Sequence, residues 1–436
     1  MGRRVGSGLL SGVCCLLWAA GPVWADEADT AALKAEIDAL KARLSQLERQ
    51  LVSGDFKGIS GIGEKPVATM ELPSGLQGLG LSGFVDTSFV YNFAESDPGA
   101  GRTNRGRVFD VNPGGFTIQA AELVLEKPMT DEMPLGFRTD LFFGDDAEAI
   151  HSTGLPTLAA GTTEAFDLQQ AYITAKAPLG AGIDFKVGKF VTLLGAEVIE
   201  SPANWNFSRS YMFGFSIPFT HTGALATYPL GEWGSVTGGI VNGWDIVDDN
   251  NNAKSLIGNI TLTPLEGLTL AANGIAGAEV AADNRNDRAV ADFVVTWQPL
   301  EKLTLMGNYD YGRQSNVVRG AAGGAGGTAG FNAADWKGLA LYAKYDLTDT
   351  WSLAGRWEWF DDADNVRTGL TGADGSAPAD IDYYGWTLTS QWKLREHVLA
   401  RLEYRHDKAD ERIFFHDAAG FIHYQDTIAA EMIYHF

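Results

Sequence analysis

From residue 79 to its end, the chain alternates apolar and polar residues with period two, and this confines it to β-sheet. Sixteen segments carry the pattern: 79–93, 114–127, 134–143, 166–178, 182–190, 219–229, 233–242, 255–264, 267–277, 287–299, 302–313, 334–347, 350–361, 380–394, 397–408 and 424–436. Their connections alternate short and long. Short ones include Pro178-Leu-Gly-Ala-Gly182, Pro229-Leu-Gly-Glu-Trp233, Pro264-Leu-Glu-Gly267, Pro299-Leu-Glu-Lys302, Leu347-Thr-Asp-Thr350 and Leu394-Arg-Glu-His397, where turn residues stop the ladder. Long ones, such as 94–113, 144–165, 191–218, 313–333 and 361–380, are polar and rich in Gly, Asp and Asn.

One parity of these strands is strongly charged. Segment 397–408 sets Arg401, Glu403, Arg405 and Asp407 against Val398, Ala400, Leu402 and Tyr404. Arg138 and Asp140, Asp184 and Lys186, Arg356 and Glu358, and Asp292 and Gln298 repeat this in other segments. Charges in such number call for a water-filled lumen rather than a packed core, and a barrel of sixteen strands is wide enough to hold one. The opposite parity carries aromatics. Pairing Trp359 with Tyr384 puts Trp357 opposite Trp386 and Trp351 opposite Trp392. These two aromatic levels lie roughly 20 Å apart after tilt, near the height of a lipid-facing band. Chance tryptophan placement in a soluble β-sandwich is the competing explanation, but a soluble sheet does not normally expose this many. Short turns on one rim and long loops on the other complete the pattern of a transmembrane β-barrel.

The closing segment fits the same scheme. Ile428, Ala430, Met432, Tyr434 and Phe436 share an apolar parity, against Thr427, Ala429, Glu431, Ile433 and His435. A chain that stops on Phe with this alternation resembles the C-terminal strand of bacterial outer-membrane barrels. That resemblance implies that Tyr434 and Phe436 form an assembly signal read by the barrel-assembly machinery. The strand is expected to close the barrel against 79–93, removing both sheet edges.

The N-terminal part differs. Residues 1–25 read as a secretory signal, with Arg3 and Arg4, an apolar core from Leu9 to Ala20, and Val23-Trp24-Ala25 near the cleavage site. The apolar run is short for a membrane anchor. Cys14 and Cys15, the only cysteines, would leave with it, so no disulfide or thiolate metal site is expected. Residues 26–53 form a helix with an a/d stripe of Leu33, Ile37, Leu40, Leu44, Leu47 and Leu51. It reads as a periplasmic coiled coil of two or three chains, or as one helix on another surface of the same chain. Residues 54–78 read as a linker, and 79–436 as the barrel.

Bulk properties exclude other classes. Net charge is −22 with pI near 4.6, the opposite of the basic footprint that nucleic-acid binding requires. Mean hydropathy is −0.07, which a barrel shows because only alternate residues meet lipid. The histidines show no HExxH spacing, and neither a GxSxG nucleophile elbow nor a phosphate-binding loop is present. Asp145-Asp146, Asp248-Asp-Asn-Asn-Asn252 and Asp361-Asp-Ala-Asp364 lack the spacing of a Ca²⁺ loop and read as solvated tips. No metal, no cofactor and no enzymatic activity are expected. Gly320 to Gly330 reads as a flexible external loop.

The middle of the chain carries specific matches. Val187-Gly-Lys-Phe-Val-Thr-Leu-Leu-Gly-Ala-Glu197, Glu200-Ser-Pro-Ala-Asn204, Ser208-Arg-Ser-Tyr211, Pro218-Phe-Thr-His-Thr-Gly223 and Val241-Asn-Gly-Trp244 resemble the OmpL-like β-barrel porin family. The resemblance spans roughly 79–436 and implies a bacterial outer-membrane porin for small solutes. The N-terminal coil is similar to that of the phosphate-type porins, which implies a homotrimer, although their anion-binding pattern is not seen here.

In general porins the third long loop folds inward, and by that resemblance 191–218 narrows the pore. It carries Glu197, Glu200, Asn204, Trp205, Asn206 and Arg209. Arg138, Asp140, Lys186, Arg356, Glu358, Arg401, Glu403 and Arg405 are expected to stand across from it on the pore wall. Opposed acids and bases would then create a transverse field that orients polar solutes. The expected function is passive diffusion of small polar solutes and ions. A channel selective for a sugar or organic ion, and a structural or adhesive barrel, are the alternatives.

Overall fold

The computed structural model describes residues 78–94, 103–155, 165–315, 333–372, 375, 377–378, 380–416 and 420–436. The expected signal segment 1–25, helix 26–53 and most of linker 54–78 lie outside the described residues, as does the Gly320–Gly330 tract.

Sixteen antiparallel strands close into one barrel. In chain order they are β1 (Gly80–Asn92), β2 (Phe116–Lys127), β3 (Leu135–Phe143), β4 (Phe166–Ala177), β5 (Ile183–Val191), β6 (Thr220–Pro229), β7 (Gly234–Val241) and β8 (Ser255–Leu265), followed by β9 (Leu268–Ala278), β10 (Asp287–Leu300), β11 (Leu303–Gln314), β12 (Ala334–Thr348), β13 (Trp351–Asp362), β14 (Ile381–Arg395), β15 (Val398–Ala409) and β18 (Tyr424–His435). A small hairpin, β16 (Phe414–His416) and β17 (Gly420–Ile422), stands in the last long connection. A short helix, α1 (Asp145–Ile150), follows β3. Every segment with period-two alternation is a barrel strand, and its ends fall within two residues of the expected ones.

Closure comes from β1 and β18, in register from Phe84 opposite His435 to Asn92 opposite Thr427. The barrel itself has no open edge, so it pairs its backbone ladders internally, as a membrane-spanning sheet must. The β13–β14 register sets Trp351 opposite Trp392, Trp357 opposite Trp386 and Trp359 opposite Tyr384. Trp351, Trp357, Tyr384 and Trp386 are exposed on the outer surface, and Trp359 and Trp392 are half-buried. Ile428, Met432, Tyr434 and Phe436 are exposed on the same outer face, while Thr427, Ala429, Glu431 and Ile433 are buried on the inner one. Among the described residues no helix is long and apolar enough to cross a membrane. Crossing falls to the strands.

The inside is not the open lumen that its charges suggest. Phe109, Leu194, Met212, Phe213, Ile217, Phe219 and Trp336 pack with the inward side chains Leu225, Ile257, Ile275 and Val290 in one buried apolar cluster. Two glycines make room for it. A Cβ on Gly338 would sit 2.9 Å from the Met212 side chain, and one on Gly312 would fall 2.0 Å from the Trp336 ring.

Candidate functional site

The connection between β5 and β6 has little regular structure: a 3₁₀ turn at Ser201–Ala203 and a π-helical turn at Met212–Ser216. Irregular backbone at membrane depth is tolerated only where other groups satisfy its N–H and C=O groups. Here the inner-wall charges do so. Glu403 on β15 accepts from the N–H of Phe207 at 2.7 Å and of Ser208 at 3.0 Å. Glu358 on β13 accepts from the N–H of Tyr211 at 2.5 Å. Arg356 donates to the Ser208 carbonyl at 2.5 Å, Arg405 to the Arg209 carbonyl at 2.6 Å, and Arg401 to the carbonyls of Ser201 and Asn204 at 3.1 and 2.6 Å.

These same charges pair with one another in an alternating ladder. Asp110 meets Arg107, which meets Asp407 at 2.6 Å. Asp407 meets Arg405 at 2.7 Å, and Arg405 reaches Glu358 at 3.5 Å. Glu358 meets Arg356 at 3.1 Å, and Arg356 meets Glu197 of the loop at 2.8 Å. Arg401 pairs separately with Glu431 at 2.9 Å. Arg356 is 2% exposed and Glu358 0%. A charge so buried is tolerable only when paired and hydrogen-bonded, and each member here meets that condition.

The expected pore wall is therefore corrected. Arg356, Glu358, Arg401, Glu403 and Arg405 do not stand across an aqueous gap from the loop; they are buried against it and bonded to its backbone. Asp140 is also buried, held by Arg138 at 2.9 Å and by Gln170 at 2.5 Å. Arg138 and Lys186 are the partly exposed members of the set, with Lys186 lying 4.5 Å over the Tyr172 ring.

The loop residues divide in the same way. Glu197 is buried between Arg356 and the N–H and hydroxyl of Ser210. Asn204 braces the loop internally, donating to the Val198 carbonyl at 2.7 Å and accepting from its N–H at 3.0 Å. Asn206 donates to Thr389 at 2.6 Å. Arg209 is buried over the Phe109 ring and caps the carbonyls of Phe207 and Ile199. Glu200 accepts from Gln169 at 2.5 Å, and burial raises its carboxyl above the ordinary range. Trp205 is half-buried, edge-on to Tyr342 at 6.4 Å.

Two further segments were missed as parts of the site. The 94–113 connection reads as an external polar loop, yet Phe109, Arg107 and Asp110 are buried, and Arg107 reaches Asp407 and Thr427 on the wall. Helix α1 buries Asp146 beside Arg209 at 3.5 Å. Burial raises the Asp146 carboxyl to about 7, with Arg209 offsetting part of that rise. A buried Phe109 between charged neighbours was the one available sequence signal. The Asp-rich runs expected as solvated tips are not all solvated, since Asp146 and Asp362 are buried; among the described residues no group of three or more His, Cys, Asp or Glu has metal-binding geometry.

The wall away from the loop is different in kind. Thr227 faces Thr237 at 2.9 Å, and Thr237 stands opposite Asn259 in register. Thr174, Thr261, Thr269, Thr296 and Thr304 are half-buried nearby on β4 and β8–β11. Below, at the short-turn end, Lys302, Lys344, Asp346, Ser352, Gln391 and Lys393 line a cavity of about 320 Å³.

A closed antiparallel barrel with an apolar outer belt and a loop-crossed polar interior defines the class of outer-membrane channels. The family follows from the sequence: the model described as "Putative beta-barrel porin-2, OmpL-like" matches residues 78–436, and the chain belongs to that family. It is thus a porin of the outer membrane. Solved structures agree in fold. The outer-membrane channel DcaP of Acinetobacter baumannii has a TM-score of 0.55 at 13% identity, over 82% of this chain and 97% of that one. OmpT of Vibrio cholerae in trimer form gives 0.51 at 12% identity, over 82% and 99%. The anion-selective porin from Comamonas acidovorans gives 0.50 at 12% identity, over 82% and 99%. A search of curated protein sequences finds no significant match.

Proposed function

We propose that this porin is a passive diffusion channel for small polar solutes and ions, narrowed by the 191–218 loop. The observation that carries the reading is the two-sided interior. Charged wall residues hold the loop, and the Thr- and Asn-bearing wall of β6–β11 is left half-exposed beside it. A solute moving along that wall meets hydroxyls and amides, which exchange hydrogen bonds with water at little cost. Glu197 and Arg209 then act by holding the loop, and Arg138 and Lys186 are the charges that solutes meet.

The burial of residues from the 94–113 connection and of α1, beside that of the loop, favours a bore narrower than a general porin's, and so a degree of solute selection. Planar-bilayer conductance and liposome swelling with a graded series of sugars test the proposal. Conductance with size-dependent swelling is the expected result. Saturable block by one solute assigns a selective channel, and absence of any current removes the diffusion reading.

Assembly as a homotrimer through residues 26–53 is part of the proposal, supported by the trimer form of OmpT. Crosslinking of the intact chain and of a chain starting at residue 54 checks it: the trimer band is expected to be lost in the second.

A further inference from the structure

The acids of the inner wall are mostly out of a solute's reach: Asp86, Glu122, Asp140, Asp292, Asp310 and Glu358 are all buried. Two half-buried ones, Glu126 on β2 and Asp184 on β5, stand directly opposite Arg138 and Lys176 in register. The lysines near the short turns are accessible. Lys186 on β5 and Lys344 on β12 are half-buried, Lys393 on β14 is exposed, and Lys302 is exposed in the turn between β10 and β11. A chain of net charge −22 thus offers a solute accessible lysines at this end.

Three of these lysines, Lys302, Lys344 and Lys393, converge on the cavity of about 320 Å³ at the short-turn end. Lys344 shares the inward parity of buried Tyr342, and Lys393 that of buried Thr389. Lys344 pairs with Asp346 at 3.4 Å. Lys302 and Lys393 have no side-chain hydrogen bond or ion pair among the described residues. Gln391 gives its side-chain oxygen to Arg401 at 2.8 Å, so the group it offers the cavity is its amide NH₂. Ser352, Thr348 and Thr350 add hydroxyls. Arg401 in turn donates to the carbonyls of Ser201 and Asn204, so the cavity lies one hydrogen bond away from an anchor of the 191–218 loop.

An ammonium has three donors and no acceptor, so two lysines beside an amide NH₂ and hydroxyls make a lining short of acceptors. An oxyanion supplies them, and its charge-assisted hydrogen bonds are about twice as strong as neutral ones. A cation meets like charge there. Glu301 and Asp349 line the cavity too, exposed in the two turns beside the lysines. They weaken the hold on an anion, and a conducting site must release what it binds.

We propose that this cavity is a subsite for the oxyanion group, carboxylate or phosphate, of small solutes, held by Lys302 and Lys393, and that it gives the channel a preference for anions over cations. The proposal rests on the diffusion-channel reading and names the class of solute that the channel favours. An anion passing the 191–218 loop reaches these lysines next, at the short-turn end, and leaves from there.

The test uses the full-length protein in planar bilayers under a potassium chloride gradient. The reversal potential of wild type is expected to show chloride passing more readily than potassium. Gluconate and inorganic phosphate, added to each side in turn, are expected to reduce the chloride current saturably. Glucose, which has hydroxyls but no carboxylate, is not. Block by one of the two anions alone supports the site and says which oxyanion it takes. In the double variant Lys302→Met, Lys393→Met the block is expected to weaken about tenfold or more, the effect of losing one hydrogen bond to a charged group. Its reversal potential is expected to move toward zero. Lys408→Met makes the same change at an exposed position opposite outward-facing Tyr384 and Tyr424, and is expected to alter neither reading. Heat-modifiable migration in gels shows that the variants form barrels, and the wild-type measurements stand without them. A potassium preference overturns the site and leaves the diffusion reading intact. So does block by glucose equal to that by gluconate, absence of block by either anion, or block unchanged in the double variant. Absence of any current overturns both readings.

Discussion

The inner wall has two halves built on different chemistry. From β13 to β18 it carries arginines and acids that are almost wholly buried, each bonded to loop backbone or to a neighbouring charge. From β6 to β9 it carries Thr227, Thr237, Asn259 and Asn273 at paired inward positions, beside Leu225, Ile257 and Ile275, which pack in the apolar cluster with the loop. Both halves look alike as polar parity in the sequence. Their difference lies in what they face. An irregular loop brings many backbone donors and acceptors, and ionised groups bond these about twice as strongly as neutral ones do. A wall facing water and passing solutes needs no such strength, and neutral hydroxyls suffice there. Buried charge on the β13–β18 half thus marks where protein meets protein, whereas Arg138 on β3 and Lys186 on β5 are charges left partly exposed.

That contrast can be broken most sharply at Arg356. Replacing it by Met leaves Glu197 and Glu358 buried without their shared cation and removes the donor to Ser208. A loss of about 3–5 kcal/mol is expected for breaking a buried pair on one side. Urea unfolding in detergent measures it, and single-channel current is expected to become larger and noisier as the loop comes free. If Arg356→Met leaves both unchanged, the ladder does not hold the loop.

A pH series is the next probe. Asp146 in α1 has its carboxyl raised to about 7 by burial, so the folded state holds its proton more tightly than the unfolded one. Its contribution is complete below the ordinary aspartate range near 4 and is lost as pH rises through about 7. Stability is expected to fall with a slope of up to about 1.4 kcal/mol per pH unit in that window. Unfolding midpoints of wild type and Asp146→Asn across pH 4–8 measure this, with a flatter profile expected for the variant.

Glu403→Gln should cost less, about 1–3 kcal/mol, because the amide still accepts one of the bonds from Phe207, Ser208 and Thr389. Thermal unfolding followed by heat-modifiable migration reads the change. The smallest effect belongs to the neutral half. Thr261→Val is expected to shift stability by less than about 0.5 kcal/mol while reducing the swelling rate for hydroxylated solutes. A large loss of stability there would show that the neutral wall also carries protein contacts.

Much of the fold was legible because strand patterning is local. Parity and turn residues between Tyr424 and Phe436, or between Trp351 and Trp392, depend on neighbours two residues away, and the register then follows from a short turn. The site was legible only in part. The residues Glu197, Arg209, Arg356, Glu403 and Arg405 could be named from inward parity and loop position. Their partners could not. Glu358 meets Tyr211 from 147 positions away, and Arg401 meets Asn204 from 197 away, and no local pattern encodes such pairs. The loop from 94 to 113 shows the cost most clearly. Its polar composition reads as solvent exposure, although Arg107 and Asp110 are polar because they bond inside the barrel.

What the sequence by itself determined is the barrel: its strands, their faces, and the closing pair of first and last strands. These follow from a period of two repeated along the chain and from turns that leave few alternatives. Only the tertiary structure decided which inward charges are free. A strand can place Arg405 on the inner face, but whether that face meets water or backbone depends on where a loop from the other side of the barrel comes to rest. That is settled by hydrogen-bond satisfaction in a confined space, and confinement exists only once the barrel has closed.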